Sequence, residues 1–203
     1  MDIASAINQT LRRVPAWVIY IAVAAWTAWL FYLALTGGLG VEPINALERE
    51  YGALGLKLLV LGLMVTPLRK WAGLNLLKFR RAIGVSAFFL ILAHFTVWAV
   101  LDVQTWERVW TEIVKRPYVT VGMLGFMLMI PLAMTSNNWS VRRLGAVSWR
   151  KLHKLTYPVA ILGAVHYLWL VKGFQIEPII YLLVVLGLIA SRYAHNFRLR
   201  QMA

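Results

Sequence analysis

Residues 83–101 read IGVSAFFLILAHFTVWAVL, nineteen residues with no charge and one histidine, His94. At 1.5 Å per residue such a helix is about 28 Å long, close to the ~30 Å of a bilayer's hydrocarbon core. Working outward, comparable apolar stretches occupy 15–36, 52–68, 118–136, 154–171 and 178–195. The chain is 61% hydrophobic and 14% charged, where a soluble domain carries roughly a quarter charged residues. No soluble core of 203 residues takes that many apolar side chains out of water. The expectation is an all-α integral membrane protein: a six-transmembrane-helix bundle forming one domain over 1–203, with no linker or repeat. The first stretch is too long for the apolar region of a signal peptide and shows no clear cleavage site, so it reads as a retained helix.

The basic residues orient the bundle. Arg12 and Arg13 precede the first span; Arg69, Lys70, Lys78, Arg80 and Arg81 fill the second connection. Arg142, Arg143, Arg150, Lys151 and Lys154 fill the fourth, and Arg192, Arg198 and Arg200 the tail. The first, third and fifth connections hold only Arg49, Arg108, Lys115, Arg116 and Lys172, together with most of the acids. By the positive-inside rule both termini are cytoplasmic, and the odd connections face the periplasm of a bacterial inner membrane. Trp98, Trp106, Trp110 and Trp169 then gather near the outer ends as an aromatic belt. The net charge of +13 is thus a membrane-surface property, serving lipid contact and topology rather than nucleic-acid binding. Pro43 and Pro67 are expected in connections, as helix terminators.

The absence of cysteine excludes covalent haem attachment, iron–sulfur ligation and thiolate zinc sites. No glycine-rich dinucleotide fingerprint is present, so nicotinamide-derived electrons must arrive through a partner. No catalytic nucleophile stands out. Ionisable groups inside spans are expensive, and two histidines lie there, His94 in the third span and His166 in the fifth. Those two spans run the same way, and both imidazoles fall roughly 8–11 Å below the outer edge. Two imidazoles at one depth can clamp a haem iron from opposite faces, with Ala93, Gly163 and Ala164 leaving room for the macrocycle. Interhelical hydrogen bonding is the plainer alternative. A proton or metal path is weaker, because the six spans contain no Asp or Glu. His153 opens the fifth span at the cytoplasmic side, with Pro158 between it and His166, and His195 lies in the basic tail. Arg80, Arg81, Arg142, Arg143, Arg150 and Lys151 are candidates to hold an anionic group such as a flavin phosphate or haem propionates, or to meet an acidic partner.

Several motifs occur in order: Gly37-Gly38-Leu39-Gly40 with Pro43, Thr66-Pro67, Arg80-Arg81 with Gly84, His94, and Arg116-Pro117-Tyr118. Thr135-Ser136, Arg143-Leu144-Gly145 with Trp149, Leu152, His153 and Tyr157, and His166-Tyr167 with Trp169 follow. From about residue 37 to 170 this series resembles the MsrQ/YedZ family, haem-binding membrane subunits of periplasmic methionine sulfoxide reductase systems. That family belongs to the ferric-reductase-like transmembrane group, related to the membrane part of NADPH oxidases. The resemblance implies b-type haem, a flavin mononucleotide (FMN), and electron delivery to a periplasmic molybdopterin-containing methionine sulfoxide reductase. The donor would be the quinone pool or a cytosolic flavin reductase, and the outcome repair of oxidised periplasmic proteins. His94, His153 and His166 match the family's haem-associated histidines. In the oxidase relatives two helices each supply two histidines to two stacked haems. Here the fourth position falls near Arg80 and Arg81, which cannot ligate iron. One haem on His94 and His166 is therefore expected, with His153 at a second haem or at the point where electrons come in. The rival readings are a quinol-oxidising cytochrome b anchoring another periplasmic oxidoreductase, and a histidine-lined transporter.

Overall fold

The computed structural model describes residues 3–171 and 173–201, and side chains as far as residue 192. Lys172 and the side chains of His195, Arg198 and Arg200 lie outside the described residues. Among the described residues every regular element is helical: α1 (Ile3–Arg13), α2 (Trp17–Leu35), α3 (Pro43–Trp71), α4 (Arg80–Thr96), α5 (Trp106–Lys115), α6 (Pro117–Met134), α7 (Asn138–Leu152), α8 (Thr156–Leu170) and α9 (Ile176–Gln201). A 3-10 turn precedes α4 at Leu77–Phe79 and another precedes α8 at His153–Leu155.

The centre is a four-helix bundle. Leu59 of α3, Ala87 of α4, Met129 of α6 and Val159 of α8 meet in one buried cluster. The most extensive pairings are α3 with α4 and α6 with α8. Leu30 of α2 packs against Tyr51, Leu90 and Val97 on one flank, where the Tyr51 hydroxyl donates to Thr27 O at 2.8 Å. On the other flank Val185 of α9 packs against Val60, Leu63, Ala160 and Ala164. The surface inverts the soluble pattern: Trp26, Trp29 and Phe31 of α2 all point outward.

Four segments are long and apolar enough to cross a membrane: Trp17–Leu35, Pro43–Trp71, Leu77–Val103 and Pro117–Met134. They overlap the first four stretches marked in the sequence, the second and third reaching beyond them at both ends. The fifth is the short one: α8 has 15 residues, so about 22 Å of rise, and gains length only from the 3-10 turn before it.

The structure corrects the sequence reading at three places. Pro43 opens α3 at its first position instead of lying in a connection, which its missing N–H permits. Pro67 lies inside α3, four residues before its end, rather than in a loop. A proline there cannot donate to the carbonyl four residues earlier, that of Leu63. Arg192 of α9 supplies the missing donor, its guanidinium lying 2.6 Å from Leu63 O. Third, the connections are themselves helical. α1, α5 and α7 are amphipathic or polar helices outside the apolar stretches, with α7 bent at Gly145 (φ 75°). Just beyond His94 the α-helix loosens into a π-helical turn over Val97–Val103, which ends on Gln104 in the left-handed conformation (φ 70°).

Candidate functional site

His94 stands in the last turn of α4 and His166 in the upper part of α8. Because α4 and α8 share the bundle core and run in the same direction, residues at one depth can meet across it. They do: the two imidazole centres are 6.3 Å apart, with ring planes crossed at 77°. Metal–imidazole bonds of about 2 Å on either side of one ion put the ring centres roughly 6 Å apart.

The hydrogen bonds fix the chemistry of each ring. His94 Nδ1 lies 2.9 Å from the backbone carbonyl of Glu48 in α3. His166 Nδ1 lies 2.7 Å from the carbonyl of Tyr118 in α6. A carbonyl only accepts, so each Nδ1 carries the proton and donates it. The neutral tautomer left behind has its lone pair on Nε2, the state in which imidazole binds a metal. Outer-shell donation of this kind orients metal-bound histidines and raises their basicity. Among the described residues no three His, Asp or Glu groups converge as a metal-ion cage.

Tyr118 entered the sequence reading only within the Arg116-Pro117-Tyr118 motif, and Glu48 not at all; nor were Gly52 and Gly122, against which the two rings lie, singled out. Of the small residues expected beside the ligands, Ala164 is fully buried against α3 and α9, and a Cβ on Gly163 would meet Leu56. Both take part in helix packing, while the residues that touch the two rings are glycines of the facing helices.

His153 lies at the opposite end of α8. Its Nε2 is 3.1 Å from Thr135 Oγ1, and its ring stacks on Trp149 with centres 3.8 Å apart. The Thr135 hydroxyl spends its own hydrogen on Pro131 O at 2.6 Å, so it accepts from His153, which donates through Nε2. Trp149 Nε1 donates to Thr135 O at 2.8 Å and closes the cluster. Burial first, then the guanidinium groups of Arg80 and Arg81, hold the His153 imidazole below its ordinary pKa. Arg81 donates to Asn138 Oδ1 at 2.8 Å, tying the start of α4 to the start of α7. Arg142, Arg143, Arg150 and Lys151 are exposed along α7. The structure thus gathers His94 with His166 at one end, and His153 with Arg80 and Arg81 at the other.

Residues 51–164 match the family model described as "Ferric reductase like transmembrane component". The chain is also 45% identical over 183 residues to proteins of Brucella ovis, Brucella canis and Brucella suis, each named "Protein-methionine-sulfoxide reductase heme-binding subunit MsrQ". The matches cover 89% of this chain and 82% of each relative. No solved structure matches the chain significantly. With that family match over most of the bundle and those relatives over nearly its whole length, this multi-pass membrane protein belongs to the ferric-reductase-like transmembrane family, in the branch of the methionine sulfoxide reductase membrane subunits.

Proposed function

We propose that this chain is a membrane cytochrome b that carries electrons outward across the inner membrane to a periplasmic molybdopterin methionine sulfoxide reductase. The observation that supports it most directly is the imidazole pair: rings 6.3 Å apart, each with Nδ1 committed to a backbone carbonyl. In this reading His94 and His166 would hold one b-type haem through Nε2, and that haem would supply a one-electron carrier suited to electron transfer rather than to oxygen activation. α3 and α6 fix the two rings, while the apolar bundle around them keeps water away.

Reduction of one methionine sulfoxide consumes two electrons and two protons, and that chemistry belongs to the partner. The chain's own task is to accept electrons at the inner end and release them at the outer end. The quinone pool or a cytosolic flavin reductase is the donor. The FMN implied by the family lies toward the inner end, where Arg80, Arg81, Arg142, Arg143, Arg150 and Lys151 can hold its phosphate. With His153 Nε2 given to Thr135, His153 belongs to the place where electrons arrive rather than to a second haem.

Six spans, with α8 and α9 as the last two and both termini in the cytoplasm, complete the reading. A reporter enzyme active only outside the cytoplasm is expected to work when fused at Asn45, Arg108 or Gln175. It is expected to stay silent at Asn75, Gly145 or the C-terminus. The opposite pattern would reverse the direction of transfer.

The functional test is an anaerobic one. Chemically reduced protein in detergent is mixed with the reductase, methionine sulfoxide, or both, and the decay of the reduced haem band is followed. Rapid reoxidation only with both present is the expected result. Reoxidation indifferent to the reductase would remove the methionine-repair assignment, and absence of any haem band would remove the cytochrome itself.

A further inference from the structure

The two histidines are held by one arrangement used twice. In α3 the carbonyl of Glu48 takes Nδ1 of His94, and Gly52 follows one helical turn later. In α6 the carbonyl of Tyr118 takes Nδ1 of His166, and Gly122 follows at the same spacing. The glycines open quartets of one pattern, with glycine first and last and leucine third: Gly52-Ala53-Leu54-Gly55 and Gly122-Met123-Leu124-Gly125. The second glycine of each faces the partner helix a turn below the histidine: a Cβ on Gly55 would meet Ile91 of α4, and one on Gly125 would meet Leu162 of α8.

The first glycine of each quartet touches the ligand ring itself. A Cβ built on Gly122 would stand 2.8 Å from His166 Nδ1 and 3.0 Å from its Cε1. One on Gly52 would stand 3.1 Å from His94 Nδ1 and 3.3 Å from its Cε1. Each imidazole therefore lays its face against bare backbone, beside the atom that makes its hydrogen bond. The ring cannot turn or retreat without losing the carbonyl, and a methyl group cannot enter without pushing the ring away.

We propose that Gly52 and Gly122 are positioning residues for the haem: they form two equivalent sockets that set the plane of each axial imidazole and keep the pair crossed. The inference rests on His94 and His166 being the axial ligands. Crossed imidazole planes leave two iron d orbitals at nearly equal energy, which gives a strongly anisotropic low-spin ferric signal in electron paramagnetic resonance. Turning one ring toward the other separates those orbitals and changes the signal, even where the haem is retained.

The test uses full-length protein, with haem per polypeptide and the ferric resonance spectrum as readouts. Gly122→Ala, which has the closer clash, is expected to lower bound haem by about tenfold or more, the scale of outer-shell changes at metal sites. Gly52→Ala is expected to keep more haem but shift the low-spin signal. Gly62→Ala and Gly125→Ala are the controls, because their added methyl groups meet ordinary contacts at 3.7 and 3.4 Å. If Gly122→Ala does not accumulate as monodisperse helical protein, Gly52→Ala decides the matter. A folded Gly52→Ala with the wild-type spectrum would overturn the socket, as would controls that change as much as the socket variants. His94→Ala and His166→Ala separate the two failures. Retained haem in both sinks the ligand reading, whereas haem lost in both, with haem content and ferric spectrum unchanged in the glycine variants, sinks the socket alone.

Discussion

On the proposed topology, the outer and inner ends of the bundle use histidine in opposite ways. At the outer end each imidazole gives Nδ1 to a backbone carbonyl, and the two rings face each other at 6.3 Å. At the inner end His153 gives Nε2 to a threonine hydroxyl and lies flat on an indole. The first arrangement spends the nitrogen nearer the backbone and keeps the farther one for a ligand. The second spends the farther nitrogen and covers the ring face. The residue type alone does not separate these cases. What separates them is whether the neighbouring helix presents a carbonyl to the near nitrogen or a side chain to the far one.

The widest separation between the ends should appear in haem content. On the proposed ligation, His94→Ala and His166→Ala each remove one axial ligand and leave the opposite imidazole buried without its partner. Each is expected to deplete low-spin haem at least about tenfold, measured as pyridine haemochrome per polypeptide. His153→Ala is expected to leave that haem and its spectrum in place while slowing reduction from the cytoplasmic side. If His153→Ala depleted haem as deeply as the other two, the contrast between the ends would collapse and a second haem would return.

Much of this was legible in the sequence. The apolar stretches located the helices, because a membrane demands about twenty apolar residues in a row and few other structures do. Equal depth of His94 and His166 followed from helix rise alone, and the structure places their rings side by side. The sockets were harder to see because their essential atoms are backbone. Glu48 and Tyr118 act through carbonyls that any residue would supply, so side-chain chemistry carries no trace of them. The glycines were visible, and the signal that could have found them was the quartet repeated on two helices. Expecting spans of minimal length also placed the start of α3 nine residues too late, leaving Glu48 in a loop. Pro67 misled for a related reason: proline reads as a terminator unless another part of the chain satisfies the carbonyl it strands.

That carbonyl supplies the smaller effect, and it concerns how the inner end is held without a ligand. Arg192 reaches from α9 to Leu63 O at 2.6 Å and to the Tyr157 hydroxyl at 3.1 Å, with its guanidinium over the Tyr157 ring at 5.4 Å. Arg192→Met keeps most of the side-chain volume but leaves Leu63 O with no donor from α9. Stranding a buried acceptor costs about 1–3 kcal/mol, so thermal unfolding in detergent is expected several degrees earlier. Pro67→Ala restores an N–H that can reach the same carbonyl from within α3. In that background Arg192→Met should cost less, by a coupling of about 1 kcal/mol. The residual loss is the stacking on Tyr157. Haem content and the low-spin spectrum should be unchanged in all three proteins, since the outer sockets are built on other helical turns. Equal costs of Arg192→Met with and without Pro67 would show that the arginine is retained for its charge rather than for the proline. A spectrum that moved with Arg192 would show that the two ends are coupled.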